Sequence, residues 1–142
     1  MQLSTILAAK GSEVATISPH ATVSDLVERL GTLGVGALVV SHDGASIAGI
    51  VSERDIVRGL AHGPQTLTDL VTTIMTARVY TASPDTPVDV LMHLMTDHRI
   101  RHVPVTDDEG ALVGIVSIGD IVKSRLGELE AERAALLEYI SQ

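Results

Sequence analysis

The heptad GIVSERD at 49–55 returns as GIVSIGD at 114–120, sixty-five positions later, and both copies continue with Ile-Val. At that offset, with no gap, Val14, Thr16, Ser18 and Pro19 fall on Val79, Thr81, Ser83 and Pro84. Val23 and Leu26 fall on Val88 and Leu91, and Val40 and Asp43 on Val105 and Asp108. With Gly49 to Ser52 and Asp55 to Val57, the register holds fifteen identities in forty-seven aligned positions. The chain is a tandem repeat of a unit of roughly fifty residues, too small to bury a good core alone and expected to pack against its twin.

Hydrophobic periodicity changes in the same order in each copy. A short β-prone stretch (Val14–Ile17, Val79–Ala82) ends at Ser-Pro. A helical stretch follows, with Val23, Leu26, Val27 and Leu30 in the first copy and Val88, Leu91 and Met95 in the second. Thr22, and Thr86 or Asp85, are the candidate N-caps. Gly34-Val35-Gly36 breaks the first helix and leads to the Val-rich run ALVVS, matched by HVPVT. Turn residues then connect to a second strand, and a helix starts at Ser52 or Ser117. The unit reads β-α-β-β-α. Thr68–Met75 forms a short linker helix in this reading. The last helix carries an apolar stripe from Ile118 to Ile140 that suits a dimer contact or a return onto the domain.

Composition narrows the chemistry. Hydrophobic residues make up 45 % of the chain but aromatics only 1 %, so a flat heterocycle must lie between aliphatic side chains, with ring stacking almost excluded. The absence of cysteine removes disulfides, thiolate metal sites and cysteine nucleophiles together. The start MQLSTILAAKG lacks the basic n-region of a signal peptide, and no apolar run approaches membrane-spanning length, so a soluble cytoplasmic protein is expected. A formal charge of −8 without a Lys/Arg cluster disfavours nucleic acid. His93 and His98, five apart on one helix, do not make a metal pair. No Walker lysine loop, dinucleotide-fold glycine motif or nucleophile elbow is present. Met75, Met92 and Met95 read as core packing.

The repeated heptad supports two accounts. Ser-x-x-Asp at a strand-to-helix junction is a capping signature, so Ser52 with Asp55 and Ser117 with Asp120 could simply start two helices. The same geometry suits a ligand, because a helix N-terminus offers unpaired N–H groups to a phosphate. An aspartate one turn in can also accept from both hydroxyls of a ribose diol. Ile50 and Ile115 would then supply the apolar wall for an adenine.

Both repeats resemble cystathionine-β-synthase (CBS) domains, and residues 11–127 as a whole resemble a small stand-alone CBS-domain pair. The marks are the two Ser-Pro pairs, RHVPVTD at 101–107 and the two GIVSxxD motifs. GALVV at 36–40 and SERDIVR at 52–58 further resemble a subgroup of bacterial and organellar single-module proteins. The resemblance implies an α/β (α+β) fold: two β-α-β-β-α repeats packed with pseudo-twofold symmetry, plus N-terminal and long C-terminal helices. The expected boundaries are 11–62 and 77–127 for the repeats, 63–76 for the linker helix and 128–142 for the C-terminal extension.

The resemblance also implies two clefts for adenosine-containing ligands: AMP first, then NAD(H), ATP, ADP or S-adenosylmethionine. Asp55 and Asp120 match its ribose-binding aspartates, and Ser52 and Ser117 the hydroxyls beside them. Thr16, Thr81, Pro19 and Pro84 border the base, as do Val35, Gly36 and Ala37 and their counterparts Ile100, Arg101 and His102. Arg101 and His102 stand where the family places phosphate-binding side chains. Gly36 and Ala37 stand there in repeat one, so the phosphate end is expected to lie towards repeat two. Arg54 either reaches a phosphate or is a solvated arginine paired with Asp55 or Glu53. The implied role is a non-enzymatic regulatory sensor, homodimeric, acting on an unidentified enzyme. The alternative is a ligand-free interaction or dimerisation module.

Overall fold

Ala37–Val40 is apolar at every position, and it forms the middle strand of the first half with all four side chains buried. The computed structural model of the chain describes residues 1–11 and 13–141. The first half holds α1 (Leu3–Lys10), β1 (Thr16–Ile17), α2 (Val23–Leu33), β2 (Ala37–Val40), β3 (Gly49–Ser52) and α3 (Glu53–Leu60). A 3-10 turn (Pro64–Thr68) and α4 (Val71–Ile74) lead to α5 (Val88–His98), β4 (His102–Thr106), β5 (Leu112–Ser117) and α6 (Ile118–Ser141). The architecture is mixed α/β, one arrangement written twice.

In the first half β1 lies parallel to β2, and β3 returns antiparallel to it, with Val39 opposite both Thr16 and Ile50. The hairpin turn is organised by Asp43, whose Oδ1 accepts from the N–H groups of Ala45 and Ser46. These backbone donors, that of Ser46 first, hold its carboxyl well below the usual carboxylate range. Helix α2 opens with a capping box between Thr22 and Asp25. It presents Val23, Leu26 and Leu30 to the sheet and closes at Gly34 in the left-handed conformation.

The second half repeats this with two changes. Helix α5 starts after Pro87 rather than at a Thr86 or Asp85 cap, because the Thr86 hydroxyl is used by the N–H of Ser83 in the preceding turn. The expected strand over Val79–Ala82 shrinks to a single parallel bridge between Ala82 and Val105. The cause is Pro104. It stands where repeat one has Val39, and a proline has no N–H to extend the ladder.

Neither half closes its core with its own repeat alone. Leu3 and Ile6 of α1, upstream of repeat one, are buried among Val88, Leu91, Met95, Val103 and Ile121 of repeat two. Val71 of α4, upstream of repeat two, is buried in the core of repeat one, with Leu67, Ile74 and Met75 packed against it. Backbone bonds fasten both crossings: Leu3 N–H to the Thr86 carbonyl, and Val71 N–H to that of Ala21. Beyond Glu128, α6 does not fold back, since residues 129–141 are exposed. No helix among the described residues is long and apolar enough to cross a membrane.

The crossing is least able to yield at Gly49, where an added Cβ would lie 2.6 Å from Met75 Sδ and 2.8 Å from the Thr76 carbonyl oxygen of the backbone. At Gly114 the obstacle is only the flexible Leu7 side chain. Gly49→Ala is expected to cost about 1–3 kcal/mol. Gly114→Ala should cost less, which urea unfolding midpoints of the two variants will show.

Candidate functional site

Ser52 ends β3 and caps α3. Its N–H and hydroxyl both donate to Asp55 Oδ2, at 2.8 and 3.2 Å. The capping geometry therefore exists, and it engages one carboxylate oxygen. Asp55 also lines an open cleft of about 490 Å3 between the two halves, a volume typical of small-ligand sites.

One wall of the cleft comes from repeat one: Gly36, Ala37, Ile50, Ser52, Glu53, Arg54, Asp55 and Arg58. The other comes from Thr76, Arg78, Val79, Tyr80, His98, Arg99, Ile100, Arg101 and His102. Five arginines converge here, half of the ten Lys and Arg residues of a chain whose net charge is −8. Against them stand only Glu53 and Asp55.

Three of the five, Arg78, Arg99 and Arg101, come from the second half. Arg99 closes α5 at φ 53°, left-handed like Gly34 at the matching position (φ 66°), and is the one non-glycine residue with positive φ among the described residues. An L side chain in that region costs roughly 1–3 kcal/mol, and such strain concentrates at functional sites. Arg54 Nη1 donates across the cleft to the Arg99 carbonyl at 3.3 Å. Neither Asp55 nor Glu53 forms an ion pair with Arg54 among the described residues. His102 packs against Gly36. Burial, followed by repulsion from Lys10, pushes its imidazole below the ordinary value despite the nearby Asp120 and Glu53.

The cleft does hold an aromatic side chain, although the composition left ring stacking of a ligand almost excluded. Tyr80 lines the cleft and lies against His98, ring centroids 4.2 Å apart and planes 25° apart. The β-prone reading of Val79–Ala82 placed Tyr80 on a strand and so concealed this. The sequence signals were the Pro104 that truncates the strand and the clustering of arginines at positions where repeat one has none.

Of the residues singled out from the sequence, Gly36, Ala37, Ile50, Ser52, Arg54, Asp55, Ile100, Arg101 and His102 line this one cleft. Arg58, Arg78, Tyr80, His98 and Arg99 join them and were not foreseen. Thr16, Pro19, Val35, Thr81, Pro84, Ile115, Ser117 and Asp120 do not line it. The Pro84 carbonyl is engaged by the N–H of Ser4, and Asp120 by Lys10. No group of three or more His, Cys, Asp or Glu residues that could hold a metal occurs among the described residues.

The family pattern of the CBS domain matches residues 10–62 and again 71–127. The chain belongs to the CBS-domain family. It is 42 % identical over 124 residues to the mitochondrial CBS domain-containing protein CBSX3 of Arabidopsis thaliana, covering 84 % of this chain and 60 % of that relative's length. Among solved structures, the CBS-domain protein ATU1752 of Agrobacterium tumefaciens superposes with a TM-score of 0.85 at 36 % identity, over 88 % of this chain and 99 % of that one. A CBS domain protein of Pyrobaculum aerophilum complexed with AMP superposes with a TM-score of 0.77 at 30 % identity, over the full length of both.

The environment of His102 sets a pH dependence. Its folded-state affinity for a proton is reduced, so between the ordinary imidazole value of about 6.5 and the lower folded one the unfolded chain binds more protons. Stability is therefore lost as pH falls through that window. The His102 ring protons should titrate with a midpoint below that of an unfolded control in NMR, and His102→Gln should flatten the melting temperature against pH between neutral and mildly acid conditions.

Proposed function

We propose that this CBS-domain pair is a regulatory module, not an enzyme, that binds an adenine nucleotide in the cleft shared by its two repeats. The observation that carries it is the joint placement of Asp55 and five arginines in one cleft, with Arg54 and Arg58 from repeat one and Arg78, Arg99 and Arg101 from repeat two. Asp55 accepts a ribose diol while holding its helix cap. Ile50 and Ile100 flank the base, and the guanidinium groups take the phosphates, where their planar forks suit anionic oxygens. The crystallised relative complexed with AMP supports the class of ligand.

AMP and NAD(H) both carry the required diol and phosphate. The excess of arginine favours ligands with more than one phosphate, ADP, ATP and NAD(H), over AMP, and it disfavours the cationic S-adenosylmethionine. A ligand held by both walls favours one relative orientation of the repeats, and that shift of population is the signal a partner enzyme would read.

Calorimetric titration with AMP, ADP, ATP, NADH and S-adenosylmethionine tests this. Asp55→Asn and Arg101→Ala should each weaken nucleotide binding by roughly tenfold to a hundredfold, the cost of one charged hydrogen bond, with little change in melting temperature. Binding of none of these below about 1 mM would sink the reading for this chain.

A second reading concerns assembly. Leu126, Leu129, Leu136, Leu137 and Ile140 of α6 are more than half exposed, which favours a homodimer or a docked partner built on this helix. Truncation after Gly127 should convert a dimer to a monomer in light scattering coupled to size-exclusion chromatography. An unchanged mass would remove α6 from the interface.

A further inference from the structure

Asp55 and Asp120 hold equivalent places in the first turns of α3 and α6, yet only Asp55 lines the open cleft. In the other half a cation of this chain sits on the matching groups. Lys10, the last residue of α1, donates from Nζ to Asp120 Oδ2 at 2.7 Å and to the Ile115 carbonyl at 2.8 Å. In repeat one the Ile50 carbonyl accepts instead from the backbone N–H of Thr76, and Asp55 has no ion-pair partner among the described residues.

The lysine is delivered by an anchored element. Leu3 and Ile6 fix α1 in the core of repeat two, and the N–H groups of Leu3 and Ser4 bond to the carbonyls of Thr86 and Pro84. The Lys10 and Asp120 side chains are 36 % and 23 % exposed, so the pair is partly shielded. Asp120 Oδ2 accepts from the Ser117 N–H as well, at 2.9 Å. Burial pushes the Asp120 carboxyl up, but the Lys10 and Ser117 hydrogen bonds outweigh it and hold the group below its ordinary range.

We infer that Lys10 is a built-in occupant of the repeat-two cleft, closing Asp120 and Ile115 to a sugar diol and a base, so that each chain takes one nucleotide, at Asp55. The inference rests on the nucleotide reading of the Asp55 cleft. A diol at Asp120 must displace an ammonium already paired with the carboxylate. Of the five arginines of the other cleft only Arg58 has a basic counterpart on this side, Lys123; Gly34, Gly36 and Ala37 stand where the other cleft has Arg99, Arg101 and His102, and Gly119 and Glu13 where it has Arg54 and Arg78. A site whose competent form is rarely populated binds more weakly in that proportion.

Titration calorimetry with ATP and AMP on the full chain, its Lys10→Ala and Lys10→Arg variants, and each combined with Asp55→Asn tests the inference. The expected result is about one nucleotide per chain for the native protein and Lys10→Arg, and about two for Lys10→Ala, the new site tightening by roughly tenfold or more. Lys10→Ala with Asp55→Asn should keep one site. Two sites in the native protein, two in Lys10→Arg, or one in Lys10→Ala would overturn the inference while leaving the Asp55 reading intact. A native chain that binds none while Lys10→Ala binds one would overturn the Asp55 reading and the stoichiometry built on it, leaving only Lys10 as the occupant at Asp120. No binding by any form would overturn both.

Discussion

Each half of this chain has a sheet and two helices whose apolar faces exceed what the repeat itself can cover. The missing layer arrives from the segment preceding the other repeat: Leu3 and Ile6 of α1 enter repeat two, and Val71 of α4 enters repeat one. This exchange makes the halves one unit and sets the walls of the cleft between them. It also explains where glycine is required. Gly49 and Gly114 are the points at which a crossing segment rests on a strand, and a methyl group at either has nowhere to go without displacement.

Duplication places the same Ser-x-x-Asp junction in both halves, and a small set of substitutions makes the surroundings of the two chemically unequal. Gly34, Gly36 and Ala37 become Arg99, Arg101 and His102, which turns one rim cationic. Val39 becomes Pro104, which truncates a strand, and Tyr80 of the shortened segment lines the cleft. The pairing of Asp120 with Lys10 removes charge from the other side. The result is one strongly electropositive site in an acidic protein, an arrangement that concentrates attraction for anions locally and repels them elsewhere.

Such a site suits a sensor. Five guanidinium groups drawn from two packed repeats repel one another, so in the proposed reading a bound phosphate chain would stabilise the arrangement in which the walls are close. The repeats share their cores through the crossing segments, so in that reading a change in wall separation would be passed to α1, α4 and α6, which pack in those cores. In the proposed reading, the exposed apolar side chains of α6 offer a surface through which such a change would reach another molecule.

The duplication, the β-α-β-β-α order and the Asp-bearing strand-to-helix junctions were legible in the sequence, because they depend on local periodicity and on capping residues spaced within one turn. Gly36, Asp55, Arg101 and His102 could be singled out by comparing the repeats. The destination of Lys10 could not, since its partner lies 110 residues away and no local pattern specifies that pairing. Comparing the repeats marks Arg78 and Arg99 as unusual, since Glu13 and Gly34 stand opposite them, but no local pattern places them or Arg58 in one cleft with Asp55. The sequence by itself determined two copies of one unit, an aliphatic core and a carboxylate at each junction, all consequences of short-range pattern. Only the tertiary structure decided which carboxylate faces an open, cationic cleft and which is held by an ammonium, because that depends on how the crossing segments bring charges from distant parts of the chain within reach of each other.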